Sequence, residues 1–148
     1  MGRPPMGWAP AVFGRFLKPG GLGGRPKLAL ALPTMPLVRE NYATTLNCLK
    51  RYKEAEALLR KTLRVARRVI GTSHQITLRL RWIYAQSFHE NPGATLDDLR
   101  EAVTTLEDTE RIARRVLGGS NPTTLEIERD LQLARARLRA REASTGSA

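Results

Sequence analysis

Ala66-Arg67-Arg68-Val69-Ile70-Gly71-Thr72-Ser73 returns as Ala113-Arg114-Arg115-Val116-Leu117-Gly118-Gly119-Ser120, at a constant offset of 47 residues. Each copy is followed at equal spacing by a Thr-Leu pair, Thr77-Leu78 and Thr124-Leu125. Self-similarity at a fixed period of about 20–50 residues is the mark of stacked-repeat architectures, in which each unit buries its apolar face against the next. Such chains are usually binding surfaces rather than active sites.

Upstream of each copy the apolar residues recur at three- and four-residue steps. Tyr52, Ala55, Leu58/Leu59, Leu63, Ala66 and Val69/Ile70 share one helical face, as do Leu96, Leu99, Ala102/Val103, Leu106, Ile112/Ala113 and Val116/Leu117. Gly71 and Gly118 follow directly, suited to the left-handed position that ends a helix. The arginine pairs before them sit in the last turn, where the helix dipole favours positive charge. Thr95 with Asp98 reads as a capping box opening the second of these helices.

Helices of another kind lie between. One spans about 74–89, with Leu80, Ile83/Tyr84 and Phe88 on its stripe, and stops before Asn91-Pro92-Gly93. An earlier one spans about 37–49, carrying Val38, Tyr42 and Leu46/Leu49, and a last one begins at Asn121-Pro122 and runs through Leu125, Leu131, Ala134 and Leu138 to about Glu142. The chain therefore reads as all-α, alternating helix A and helix B, a short α-solenoid of about two and a half hairpins. The pairs Tyr42-Ala43 and Tyr84-Ala85 are 42 apart. The period of 47 is thus a 42-residue unit with about five residues inserted at the second hairpin turn, around 91–95.

These residues resemble a tetratricopeptide repeat with the longer spacing of kinesin light chains. Tyr52-Lys53-Glu54-Ala55-Glu56-Ala57-Leu58-Leu59 matches the middle of that pattern. Arg68-Val69-Ile70-Gly71-Thr72-Ser73-His74-Gln75-Ile76-Thr77-Leu78 and Arg115-Val116-Leu117-Gly118-Gly119-Ser120-Asn121-Pro122-Thr123-Thr124-Leu125 match its linker. The first keeps the family's His and loses its Pro; the second keeps the Pro and has Asn for His. Thr62 and Thr109 stand where the pattern has alanine. The resemblance covers residues 37–142: a first repeat at 37–71, a second at 74–118 with the hairpin insertion, and a capping helix at 121–142, before a short tail at 143–148. It implies a non-enzymatic protein-interaction module whose groove takes a peptide or helix of a partner. Coiled-coil heptads of the kind through which kinesin light chains join the motor heavy chain are absent, so motor cargo transport is not implied. Exposed polar positions on the A helices, Asn41, Thr45, Arg79, Arg81 and Gln86, are the candidate partner contacts.

Residues 1–36 differ in kind. They hold seven of the nine prolines and seven of the twelve glycines, and no acid precedes Glu40. Packed structure is not expected there, and the segment reads as disordered. Being basic, acid-free and N-terminal, it has organelle targeting as an alternative reading, against which stand the lack of serines and of an amphipathic helix. With two full hairpins and one extra helix, the array is close to the minimum of about three units that stacking requires. Arg135, Arg137, Arg139 and Arg141 with Glu142 suggest a polar C-terminal cap. No such cap precedes the first hairpin: residues 1–36 fold over that open face, the array continues in another chain, or the sequence is a fragment without independent function.

The net charge of +11 favours acidic partners. A basic nucleic-acid-associated helical repeat is the alternative, weakened because no aromatics interleave the basic residues as stacking platforms. Residues 50–81 are basic and 90–110 acidic, so adjacent helices should attract. One cysteine, Cys48, allows no internal disulfide and suits the reducing cytoplasm; it is expected as a small core residue. His74 is expected to cap or pack the linker, and His89 to sit at a helix end on the surface. Neither forms metal-ligand spacing with Cys48. Asp97, Asp98 and Glu101 fit the acid preference of a helix start. No cofactor is expected.

Overall fold

The structure, a computed structural model, describes residues 35–147, with side chains from residue 38 to 147. The expected disordered segment at 1–36 lies almost wholly outside the described residues. Five helices follow one another: α1 (Met35–Cys48), α2 (Tyr52–Val69), α3 (Gln75–His89), α4 (Leu96–Val116) and α5 (Pro122–Gly146), with no strand among the described residues. Sequential helices pack as hairpins. In addition α1 packs on α3, and α3 on α5, whereas the backbones of α2 and α4 stay apart, with Lys53 reaching to 4.0 Å from Asp98 between them. The A helices are thus the closely stacked inner row and the B helices the splayed outer row, the curvature of an α-solenoid.

The repeated phrase builds the turns between hairpins. Gly71 and Gly118 have φ of +90° and +94°. At Gly71 the backbone N–H returns to Ala66 O at 3.1 Å, closing the last helical turn. His74 Nδ1 then accepts the Ile76 N–H at 3.1 Å, so this histidine is the N-cap of α3. Asn121 does the same for α5 through Thr123, with Pro122 at the first helical position. The capping box at α4 is complete: Thr95 accepts from Asp98 N at 3.1 Å and Asp98 accepts from Thr95 N at 2.9 Å.

The hairpin insertion is split in two. The α3–α4 connection is residues 90–95 where α1–α2 has only 49–51. The helix also begins earlier, six residues before Ala102 in α4 against three before Ala55 in α2. The shorter turn needs one left-handed residue, Lys50 at φ +61°.

Small residues set the helix spacing. Ala43, Ala55, Ala66, Ala85, Ala102, Ala113 and Ala134 are fully buried at crossings, and Leu59, Leu78, Leu80, Leu106, Ile127 and Phe88 fill the space between. Thr62 and Thr109 occupy alanine positions without an unmet hydroxyl, because each donates to the carbonyl one turn back, Leu58 O at 2.7 Å and Thr105 O at 2.6 Å. Leu46 is buried as expected, but Cys48 and Leu49 are exposed. The helix stops at Cys48, which sits beyond the Ala43–Leu46–Asn47 face, and Leu49 has already entered the turn. His89 corrects the surface reading, being only 6% exposed.

The two linkers differ at one hydroxyl. Thr77 donates to Gly71 O at 2.7 Å, whereas its counterpart Thr124 is fully buried with Oγ1 unpartnered. Thr77→Val should cost about 1 kcal/mol, while Thr124→Val, losing only an unmet polar atom, should be neutral or stabilising. Urea unfolding of the two variants checks the contrast.

Candidate functional site

The inner row of helices encloses a groove of about 380 Å³, lined from α1 by Glu40, Asn41, Thr44, Asn47 and Cys48. The α3 side supplies Arg79, Trp82, Ile83, Gln86 and Glu90, and α5 supplies Arg129. The α3 residues recur at three- and four-residue steps, so one stripe of that helix forms the groove wall.

Of the five candidate contacts, Asn41, Arg79 and Gln86 come together in this groove. Thr45 does not line it, and its hydroxyl donates to Asn41 O at 3.0 Å. Arg81 points to the other side of α3, buried at 8% exposure, with its guanidinium 3.8 Å from Asp108 of α4. Two residues along a helix turn a side chain by about 200°; Arg79 and Arg81 therefore cannot share a face.

The groove floor is polar and only partly satisfied. Glu40, 2% exposed, pairs through Oε1 with Arg79 at 2.6 Å, but its Oε2 is buried without a partner. Asn47 donates to Ile83 O at 3.4 Å, and its Oδ1 is likewise unpartnered. Burial pushes the Glu40 carboxyl up to about 7 against the opposing pull of Arg79. The native state therefore binds a proton that the unfolded chain, at 4.5, has released. Glu40 opposes folding least below pH 4.5; its penalty grows as pH rises towards 7 and is complete above it. At about 1.4 kcal/mol per pKa unit this reaches roughly 3 kcal/mol. Glu40→Gln should abolish that slope and raise stability at pH 8 by about 1–3 kcal/mol, the range allowing for the unpaired Arg79. Denaturant melts from pH 4 to pH 8.5 measure it.

Behind the groove wall, α5 meets α3 at Asp130, 4% exposed. Its Oδ2 accepts from Trp82 Nε1 at 2.5 Å and Gln86 Nε2 at 2.8 Å, and His89 Nε2 lies 3.8 Å away. Burial alone would raise this carboxyl, but the nearby His89 and the hydrogen bonds from Trp82 and Gln86 outweigh it and hold it below its usual range. Two groove residues are thereby fixed by an acid on another helix. Arg137 adds a second tie, donating to His89 O and, at 2.7 Å, to Asn91 O, so it caps the C-terminal end of α3. Arg135 pairs with Glu107 at 2.7 Å. The arginines expected as a polar cap thus include two that bind the hairpin before them. Helical periodicity hid Asp130 and Arg137, since each partner is more than forty residues away.

The groove offers amide, guanidinium, carboxylate and indole groups to an extended backbone or a helix. Among the described residues no group of three or more His, Cys, Asp or Glu could hold a metal ion. No helix of the described residues is long and apolar enough to cross a membrane.

The family model of the tetratricopeptide repeat matches residues 38–76. That match covers α1, α2 and the linker into α3. No curated protein and no solved structure matches the chain.

Proposed function

We propose that this tetratricopeptide repeat protein is a non-enzymatic interaction module whose A-helix groove binds a peptide or helix of a protein partner. The observation that carries this reading is the floor of the groove: the buried Glu40 Oε2 and Asn47 Oδ1 lack hydrogen-bond partners beneath an open 380 Å³ channel. Buried polar atoms are ordinarily satisfied. A ligand backbone N–H laid along the groove would satisfy them, with Asn41, Gln86 and Trp82 flanking it. Within the groove Arg79 and Arg129 are offset by Glu40 and Glu126, so it is the net charge of +11 of the whole chain that favours an acidic segment. The linker phrases and the 42-residue spacing support a kinesin light chain-like type of repeat, and the lone cysteine accords with a cytoplasmic setting.

Affinity capture from a lysate of the expressing cells, read by mass spectrometry, tests the groove. Asn41→Glu with Arg129→Glu, at two non-core groove positions, should lose specific partners that an outer-face variant, Arg68→Glu, retains. Equal recovery by both would remove the groove assignment. Circular dichroism melts of the same proteins establish that the variants remain folded.

A further inference from the structure

The outer face carries a second cleft, of about 350 Å³, between α2 and α4 with α3 as its floor. It exists because the backbones of the B helices stay apart. Arg60, Arg64 and Arg67 stand on the α2 wall, one turn apart, and Glu101 and Thr105 on the α4 wall.

The charges do not balance. At one end Arg60 pairs with Glu56 at 3.0 Å, and Tyr84 of the floor donates to Glu101 at 2.7 Å, so both groups at that end are engaged. At the other end, Arg64 and Arg67 form no ion pair among the described residues. Beside them is Arg81, nine-tenths buried, with its Nε buried and without a partner. Burial and the like charge of Arg67 hold the Arg81 guanidinium below its ordinary range. The nearest acid, Asp108, is 3.8 Å from Arg81 but is already held at 2.7 Å by Arg111.

Two guanidinium groups of the cleft wall, Arg64 and Arg67, thus lack a counter-ion, and next to Arg67 the Arg81 guanidinium, which shares Asp108 with Arg111, buries an unmet donor. A single carboxylate ligand would neutralise one of these charges. A dianion would neutralise two and accept in the forked geometry guanidinium groups favour. We propose that this outer cleft is an oxyanion site, in which Arg64, Arg67 and Arg81 hold a phosphate-class dianion. It lies across α3 from the A-helix groove and does not depend on that groove's having a ligand.

The test is titration calorimetry of the full chain at constant ionic strength, with inorganic pyrophosphate in one arm and a Gly-Ser pentapeptide bearing one phosphoserine in the other. The variant Arg64→Gln/Arg67→Gln removes two exposed cleft arginines. A control, Arg115→Gln/Arg139→Gln, removes the same charge from exposed positions elsewhere. Binding should weaken by roughly tenfold or more in the cleft variant and by little in the control, as expected for lost charge-assisted bonds. The Arg81 Nε–Hε resonance should shift on saturation in the wild type, which a diffuse charge effect would not produce. Tighter binding of the pentapeptide assigns a phosphoryl group carried by a protein; tighter binding of pyrophosphate assigns a free phosphate. No binding in either arm, or equal loss in both variants, overturns the proposal.

Discussion

Phe88→Ala should destabilise the chain by about 3–5 kcal/mol, the range for emptying a fully enclosed aromatic site. Phe88 is 2% exposed on α3, with its ring edge-to-face against Tyr84 at a centroid separation of 4.9 Å. The helix that carries it packs against all four others, so the cavity opens at the junction of both hairpins and α5. The neighbours cannot collapse into it easily, because the helix spacing is already set by fully buried alanines. For a domain whose whole stability is about 5–15 kcal/mol, such a loss is a large fraction of the total. Thermal or urea unfolding gives the value directly. A loss under 1 kcal/mol would mean that α3 is not the central helix of the stack.

Asp130→Ala should cost a comparable amount, about 3–4 kcal/mol, for an electrostatic reason. The substitution leaves Trp82 Nε1 and Gln86 Nε2 without their acceptor, and removes the carboxylate beside the buried His89. Truncating one member of a buried polar network costs more than the bond itself, because the desolvated partners stay behind. Asp130→Asn, which keeps an acceptor oxygen, should lose less. The pH dependence has a definite sign. Asp130 has a lowered carboxyl in the folded state, so its contribution is present above the ordinary value of 3.8 and is lost as pH falls through the folded value. Glu40 acts in the opposite sense and in a separate window, between 4.5 and about 7. Acid unfolding of Asp130→Asn should be flatter than wild type below pH 4, while Glu40→Gln should differ from wild type only above pH 4.5.

Much of the scaffold was legible because its signals are local. The positive φ at Gly71 and Gly118, the His74 cap and the Thr95–Asp98 box each involve residues within four positions of one another. The apolar stripes of α2 and α4 were legible for the same reason: these outer helices have one buried face and one solvated face. The inner helix α3 was harder. Ten of its fifteen residues are buried, so its sequence has no solvated face from which to infer direction. Arg79 and Arg81 look alike in such a helix, yet one enters the groove and the other turns to the outer row. Asp130 and Arg137, which fix the groove wall and cap α3, act over more than forty residues and leave no periodic trace. Lys50 in the left-handed region carries no such sequence signal, since glycine is the usual mark of that conformation.

The proposed function turns on which row of helices meets the partner. Amide hydrogen exchange of the chain, with and without a captured partner, reads this directly. Exchange should slow in the groove-facing parts of α1 and α3, residues 40–48 and 79–90, and remain unchanged along α2 and α4. Protection confined to 52–69 and 96–116, with the A helices exchanging as in the free chain, would contradict the account and place the partner on the outer face.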